Sequence, residues 1–152
     1  MLKNYTSQVS AKKSIDWIEF KLSRNGATQI LKIYDTKGRV SGIAFIVPQN
    51  GIDFPYKLPA RIEECEKILK ESLRKPRTGT LQRISEQAER TAWKIISDWV
   101  DAQMAMINLS QVKLMEIFLP FLYDHSRKET YFEKLEAKGL QKLLPATSEV
   151  ER

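Results

Sequence analysis

The sequence predicts an α+β fold, in which a three-stranded antiparallel meander with an N-terminal helix is followed by a helical C-terminal half. The main observation is that the spacing of apolar residues changes twice along the 152-residue chain. It is helical before Asn25-Gly26, alternates as in a strand from there to Pro59, and is helical again afterwards. Turn-forming residues separate the alternating segments, which indicates hairpins between consecutive strands.

The first element is a helix that Ser10 or Ser14 can cap, because a serine hydroxyl accepts a hydrogen bond from a backbone amide of the first turn. Asn25-Gly26 ends this helix, since glycine readily takes the left-handed conformation after a last helical turn. Its apolar stripe combines a helical repeat with two flanking aromatic residues: Ile15, Ile18 and Leu22, with Trp17 and Phe20. All three tryptophans of the chain lie in helical apolar stripes, and we expect them in the core: Trp17, Trp93 and Trp99.

Three strands follow, and they cover Ala27 to Tyr34, Arg39 to Val47 and Ile52 to Leu58. The first two are joined by Asp35-Thr36-Lys37-Gly38, whose Asp and Gly suit a tight turn. Pro55 removes an amide donor from the third strand, which predicts an edge position or a bulge for it. Three strands and a helix are enough to bury a core.

The second half is predicted to be helical. The expected elements are a helix from Ile62 to about Arg74, a basic loop over residues 74–80, a long helix from Leu81 to Asn108, a helix capped by Ser110 that ends near Pro120, and an amphipathic segment over 128–144. We expect residues 1–124 to form one α+β domain. Residues 125–152 are then a charged helical tail, weakened by Gly139 and partly disordered at its end.

Composition excludes several kinds of site. The chain has one cysteine, Cys65, and one histidine, His125, so a disulfide within the chain and a multi-cysteine or cysteine–histidine metal site are excluded. We expect Cys65 to be a buried structural thiol and His125 to lie on the surface. The glycines are scattered singly, so no phosphate-binding loop is recognisable and no cofactor is predicted. No apolar run is long enough for a membrane span or a secretory signal, and the single cysteine is typical of a cytoplasmic protein.

Charge favours an acidic partner. The net charge is +6, and residues 1–50 carry eight Lys and Arg against three Asp and Glu. Basic and aromatic residues mix around the predicted sheet, as they do where cations bind phosphates and aromatic rings stack on bases. The candidate nucleic-acid-binding residues are Lys32, Tyr34, Lys37 and Arg39 at the first hairpin and Arg74, Lys75 and Arg77 in the basic loop, with Phe54, Tyr56 and Lys57 flanking the third strand. Alternatively, these aromatic rings pack in the core and the lysines only add solubility.

The chain resembles a family of small phage- and prophage-type proteins of uncharacterised function. The residues that carry the resemblance follow in order from Val9 to Pro120: Val9 to Ile15, Ile18-Glu19, Gly26-Ala27, Gly42 to Phe45, Phe54 to Pro59, Ala88 to Trp93 and Glu116 to Pro120. The resemblance implies a setting in phage or mobile-element replication or recombination, which fits an accessory protein that binds single-stranded nucleic acid. It implies no catalytic residues.

Two other functions stay open. The long helix could serve as a homo-oligomer interface near Trp93 and Trp99, which would make the protein a non-enzymatic scaffold. A metal-dependent nuclease would need a carboxylate such as Glu89 or Glu116 in a shared metal site, and no carboxylate spacing in the sequence indicates one. We therefore expect no enzymatic activity.

Overall fold

A computed structural model describes residues 2–73 and 77–146, and it confirms the predicted α+β fold. The helices and strands follow in this order: α1 Ala11–Arg24, β1 Gln29–Tyr34, β2 Val40–Gln49, β3 Ile52–Pro59, α2 Ile62–Glu71, α3 Thr80–Asn108, α4 Leu114–Phe118, β4 Tyr123–Asp124, β5 Glu129–Thr130 and α5 Tyr131–Lys138. Two short 3₁₀ helices, Leu119–Phe121 and Leu140–Leu143, follow α4 and α5. No helix in the described ranges is both long and apolar enough to cross a membrane.

The main sheet is an antiparallel meander in the order β1-β2-β3, so β2 is the central strand. Phe45 of β2 pairs with Tyr56 of β3, and Ile43 pairs with Leu58. Strand β3 lies at an edge, as the proline at position 55 led us to expect, and within the described residues a single isolated bridge beyond it joins Tyr56 to Leu122. This edge position accommodates a residue that cannot donate a ladder hydrogen bond.

The core lies between one face of the sheet and the helices. Helix α3 packs against both α1 and α2, and its Trp93 is completely buried. The Trp93 indole Nε1 donates a hydrogen bond to the carbonyl of Val40, 2.9 Å away, which joins α3 to the central strand. The largest buried side chains around it come from α1, β2, β3 and α4: Ile18, Leu22, Phe45, Tyr56 and Phe118.

The opposite face of the sheet is partly open and aliphatic. Leu31 projects from β1 on this side and is 62% exposed. A groove of about 320 Å³ lies beside it, lined by Ala44, Ile46 and Pro55 with His125 at its rim. His125 is exposed, as predicted, and the predicted burial of Cys65 on α2 is also confirmed.

The C-terminal part differs from the predicted helices. Ser110 has a left-handed backbone with a φ of 58°, and it lies in the turn after α3, while Lys113 occupies the N-cap of the short α4. Strands β4 and β5 form a small hairpin, and the predicted boundary at residue 124 falls inside it. Gly139, with a φ of 95°, separates α5 from the last 3₁₀ helix, so the predicted amphipathic segment is broken there. The spacing of apolar residues in the sequence does not indicate these local turns.

Candidate nucleic-acid interface

Lys32 lies on the helix-covered face of the sheet. It pairs across the strands with the fully buried Ile43, and its Nζ lies 3.1 Å from Oε1 of Glu19 on α1. The hydrogen bond to Glu19 raises the pKa of the Lys32 ammonium above its ordinary value of 10.5. This cation therefore joins β1 to α1 and is already paired with a carboxylate.

Arg39 lies in a network that connects the first hairpin to two helices. Its Nε donates to Oδ2 of Asp35 at 2.9 Å, and its Nη1 donates to Oε1 of Glu66 on α2. The hydroxyl of Ser85 on α3 accepts from Nη1 of Arg39 at 3.1 Å and donates to the same Glu66 oxygen at 3.0 Å. Only 11% of each of the Arg39 and Glu66 side chains is exposed, so this guanidinium has a structural role.

The other predicted candidates have different surroundings. Tyr34 is 61% exposed, and Lys37 and Arg77 are also exposed. Arg74 and Lys75 lie outside the described residues. The structure thus leaves Tyr34 and Lys37 available at the hairpin and Arg77 available before α3.

The aromatic residues of β3 do not form a stacking platform. Tyr56 is only 1% exposed, stacks on Phe45, and donates its hydroxyl to Sδ of Met115 at 3.3 Å. Phe54 is partly buried against the same core. For these two rings the alternative of core packing is confirmed, while Lys57 places its ammonium 4.9 Å from the Tyr123 ring centre.

An exposed aromatic pair on α1 was missed by the sequence analysis. Trp17 is 43% exposed and Phe20 is 46% exposed, and their rings stack with centroids 5.7 Å apart and an interplanar angle of 26°. The prediction that Trp17 lies in the core was wrong. At roughly 100° per helical residue, Trp17 and Phe20 project away from the buried Ile15, Ile18 and Leu22, a signal that the sequence contained.

Cations surround this aromatic pair. Lys21 Nζ lies 4.8 Å from the ring centre of Trp17, and Arg24 Cζ lies 5.3 Å from that of Phe20. Lys13 comes one turn before Trp17 on the same side of α1, because residues four apart are neighbours on a helix surface. We call the surface formed by Lys13, Trp17, Phe20 and Arg24 the Trp17 face.

Carboxylates pair with two of the cations near the Trp17 face. Lys21 lies 3.1 Å from Asp101, and Lys12 lies 2.9 Å from Asp16, a pair whose side chains are 83% and 50% exposed. Among the described residues, no carboxylate lies within 4 Å of the Lys13 or Arg24 cation. The face therefore offers two unpaired cations beside two stacked rings.

The other two tryptophans contribute less surface. Trp93 is completely buried, as predicted, so it cannot take part in an interface between folded chains. Trp99 is partly buried and meets Phe118 and Phe121 edge-on, with ring centroids 5.6 and 5.7 Å away. An oligomer through this region stays a prediction, and its surface would be that of Trp99 rather than Trp93.

The carboxylates of the described residues do not gather into a metal site. Over residues 2–73 and 77–146 there is no group of three or more His, Cys, Asp and Glu side chains that could hold a metal ion. Glu116, one of the carboxylates considered for a nuclease, accepts a hydrogen bond from the backbone amide of Lys113 at 3.1 Å and so caps α4.

Comparison with known proteins adds no relative. No protein-family model, curated protein or solved structure matches this chain. The resemblance to small phage proteins stays a prediction that rests on the residues quoted for it, and the Trp17 face has to be interpreted from its own geometry.

Proposed function

We propose that this protein binds single-stranded nucleic acid through the Trp17 face. The observation that carries the proposal is the stacked and exposed pair of Trp17 and Phe20, with cations over both rings. Proteins that hold single strands combine aromatic rings, on which bases stack, with cations that follow the phosphates. The Trp17 face brings both features together on one helix.

Stacking supplies the first part of the affinity. A base on an aromatic side chain contributes about 1–3 kcal/mol, and every base has a flat face that can stack. Trp17 and Phe20 already lie nearly parallel, at 26° to each other, so both rings present a similar orientation to a strand. Because bases in a duplex are already stacked on each other, the pair favours a single strand over a duplex.

Phosphate contacts supply the second part. Lys13 and Arg24 are unpaired among the described residues, and the Lys21–Asp101 pair lies beside Trp17. The side chains of this pair are 27% and 51% exposed, and ion pairs that are open to solvent contribute only about 1 kcal/mol, so a phosphate can replace the carboxylate at little cost. Of the candidates named from sequence that lie within residues 2–73 and 77–146, Tyr34, Lys37 and Arg77 are exposed and can add further contacts.

The proposed cellular setting comes from the resemblance to phage and prophage proteins. In such a setting the protein would be an accessory factor that holds exposed strands during replication or recombination of a mobile element. The chemistry of the Trp17 face requires only an exposed strand with a phosphate backbone, so single strands of DNA and of RNA both satisfy it.

Fluorescence anisotropy with labelled oligonucleotides tests this function. We expect tighter binding of a single strand than of the matching duplex, and an affinity that falls linearly with salt on logarithmic axes. A contact with two to four phosphates predicts a slope of roughly −1.5 to −3 for a single strand. The absence of binding in low salt, or binding that does not change with salt, would contradict the proposal.

A further inference from the structure

A cleft of about 620 Å³ lies beside the Trp17 face, between α1 and α3. Trp17 and Phe20 line it from α1, and Lys94 and Ser97 line it from α3. Its volume is within the range of pockets that hold small organic ligands, roughly 300–1,000 Å³. The cleft is thus large enough for a nucleobase and part of its sugar.

The floor of the cleft carries a buried hydroxyl group with no partner. Ser14 lines the cleft and is 2% exposed, and within the part of the chain that the structure describes its Oγ makes no hydrogen bond. Buried hydroxyls are normally paired, and a helical serine can pair with a carbonyl of its preceding turn. Ser97, 3% exposed, lies across the cleft on α3.

The remaining lining residues suit a base with an amino group. Asp16 offers a carboxylate, which accepts hydrogen bonds only, and the Ser14 hydroxyl can donate or accept. Exocyclic amino groups of adenine, cytosine and guanine are donors that match the carboxylate, whereas thymine and uracil have none. Lys13 lies at the same cleft and is suited to an adjoining phosphate, whereas the Lys94 ammonium is already paired with Asp98 at 2.8 Å.

We propose that this cleft receives one amino-bearing nucleobase from the bound strand, and this inference rests on the proposed function. The base lies against Trp17, its amino group donates to Asp16, and its ring nitrogen or carbonyl pairs with Ser14 once that buried hydroxyl turns toward the cleft. The exposed Lys12–Asp16 pair opens to free the carboxylate. The Trp17 face then binds any strand, and the cleft adds a preference among bases.

The test compares oligonucleotides of equal length made only of dA, dC or dT, titrated by fluorescence anisotropy. Wild-type protein is expected to bind dA and dC about 5-fold more tightly than dT, the effect of roughly one additional hydrogen bond. Asp16→Asn is expected to abolish the preference, because an amide pairs with a carbonyl as well as with an amino group, and Ser14→Ala is expected to weaken the binding of all three oligonucleotides alike, because every base offers a ring nitrogen or carbonyl to a hydroxyl. The melting temperature of Ser14→Ala should equal or exceed that of wild type, because the variant removes an unpaired buried hydroxyl.

A matched control and a second ligand complete the design. Ser23 is an exposed serine on the same helix whose Oγ donates to the Phe20 carbonyl, and Ser23→Ala should leave the affinity for all three oligonucleotides as in wild type. Cytidine monophosphate in excess should remove the dC advantage, and uridine monophosphate should not. Binding of cytidine monophosphate without binding of any strand would overturn the inference, because the base would then come from a free nucleotide.

The outcomes separate this inference from the proposed function. Salt-dependent strand binding with equal affinity for dA, dC and dT, unchanged in Ser14→Ala, would overturn the base cleft and leave the Trp17 face standing. If no strand binds in low salt, both fail together.

Discussion

Replacement of Trp17 and Phe20 together with alanine is expected to weaken single-strand binding by roughly 30-fold or more, because each lost stacking contact removes about 1–3 kcal/mol. The measurement is the dissociation constant from anisotropy in low salt. Both side chains are nearly half exposed, at 43% and 46%, so the double variant should keep its fold and much of its melting temperature. A loss of affinity would therefore come from the missing surface contacts rather than from a disrupted core.

Phe132 provides the matched control for this experiment. It lies on α5, is 45% exposed, and is thus similar to Phe20 in type and exposure. Phe132→Ala should bind strands as wild type does, and Trp17→Phe should keep most of the affinity because it keeps an aromatic ring. Equal affinity of the double variant and wild type would remove the Trp17 face from the binding surface. A loss in Tyr34→Ala alone would then place the strand at the first hairpin.

The second large effect concerns stability. Arg39→Ala is expected to lower the free energy of unfolding by about 2–4 kcal/mol, since it leaves the Glu66 carboxylate buried without its main partner. This expected loss of stability is smaller than the loss for a fully buried ion pair, because Lys70 remains 3.7 Å from Glu66. Chemical denaturation measures it directly. Lys12→Ala, which breaks an exposed pair with Asp16, is the control and should change stability by less than about 1 kcal/mol.

The same network predicts how stability depends on pH. Burial alone would raise the pKa of the Glu66 carboxyl, but hydrogen bonds from Arg39 and Ser85 outweigh it and hold the pKa below its ordinary value of 4.5. A depressed pKa in the folded state stabilises the fold above the ordinary value, and this stabilisation disappears as the pH falls through the folded-state pKa. Wild type should therefore lose more stability than Arg39→Ala between about pH 5 and pH 3. Identical acid sensitivity in the two proteins would show that Arg39 does not keep Glu66 ionised.

The sheet could be predicted because its signals are local. The turn at Asp35 to Gly38 is stabilised by the Asp35 side chain itself, whose Oδ1 accepts from the amides of Lys37 and Arg39 at 2.9 Å. Pro55 indicated an edge strand because proline has no amide hydrogen to donate to a neighbouring strand. Such features depend on residues a few positions apart, and the sequence displays them directly.

The candidate site was harder to predict because it depends on contacts between distant elements. Nothing near Arg39 in the sequence indicates that Glu66 and Ser85 will pair with it, and the same holds for Glu19 with Lys32. Both cations therefore looked available for phosphates. Trp17 was assigned to the core because tryptophan is usually buried, although its helical position already placed it opposite the apolar stripe.

The most direct test of strand binding at the Trp17 face uses the three tryptophans as probes in one spectrum. Their indole Nε1–H signals can be followed by ¹⁵N-edited NMR during titration with a dC oligonucleotide, and Trp17→Phe identifies the Trp17 signal. We predict that the Trp17 signal shifts strongly, while the signal of Trp93, which is buried and bonded to the Val40 carbonyl, stays in place. A strand that binds without moving the Trp17 signal would contradict the account.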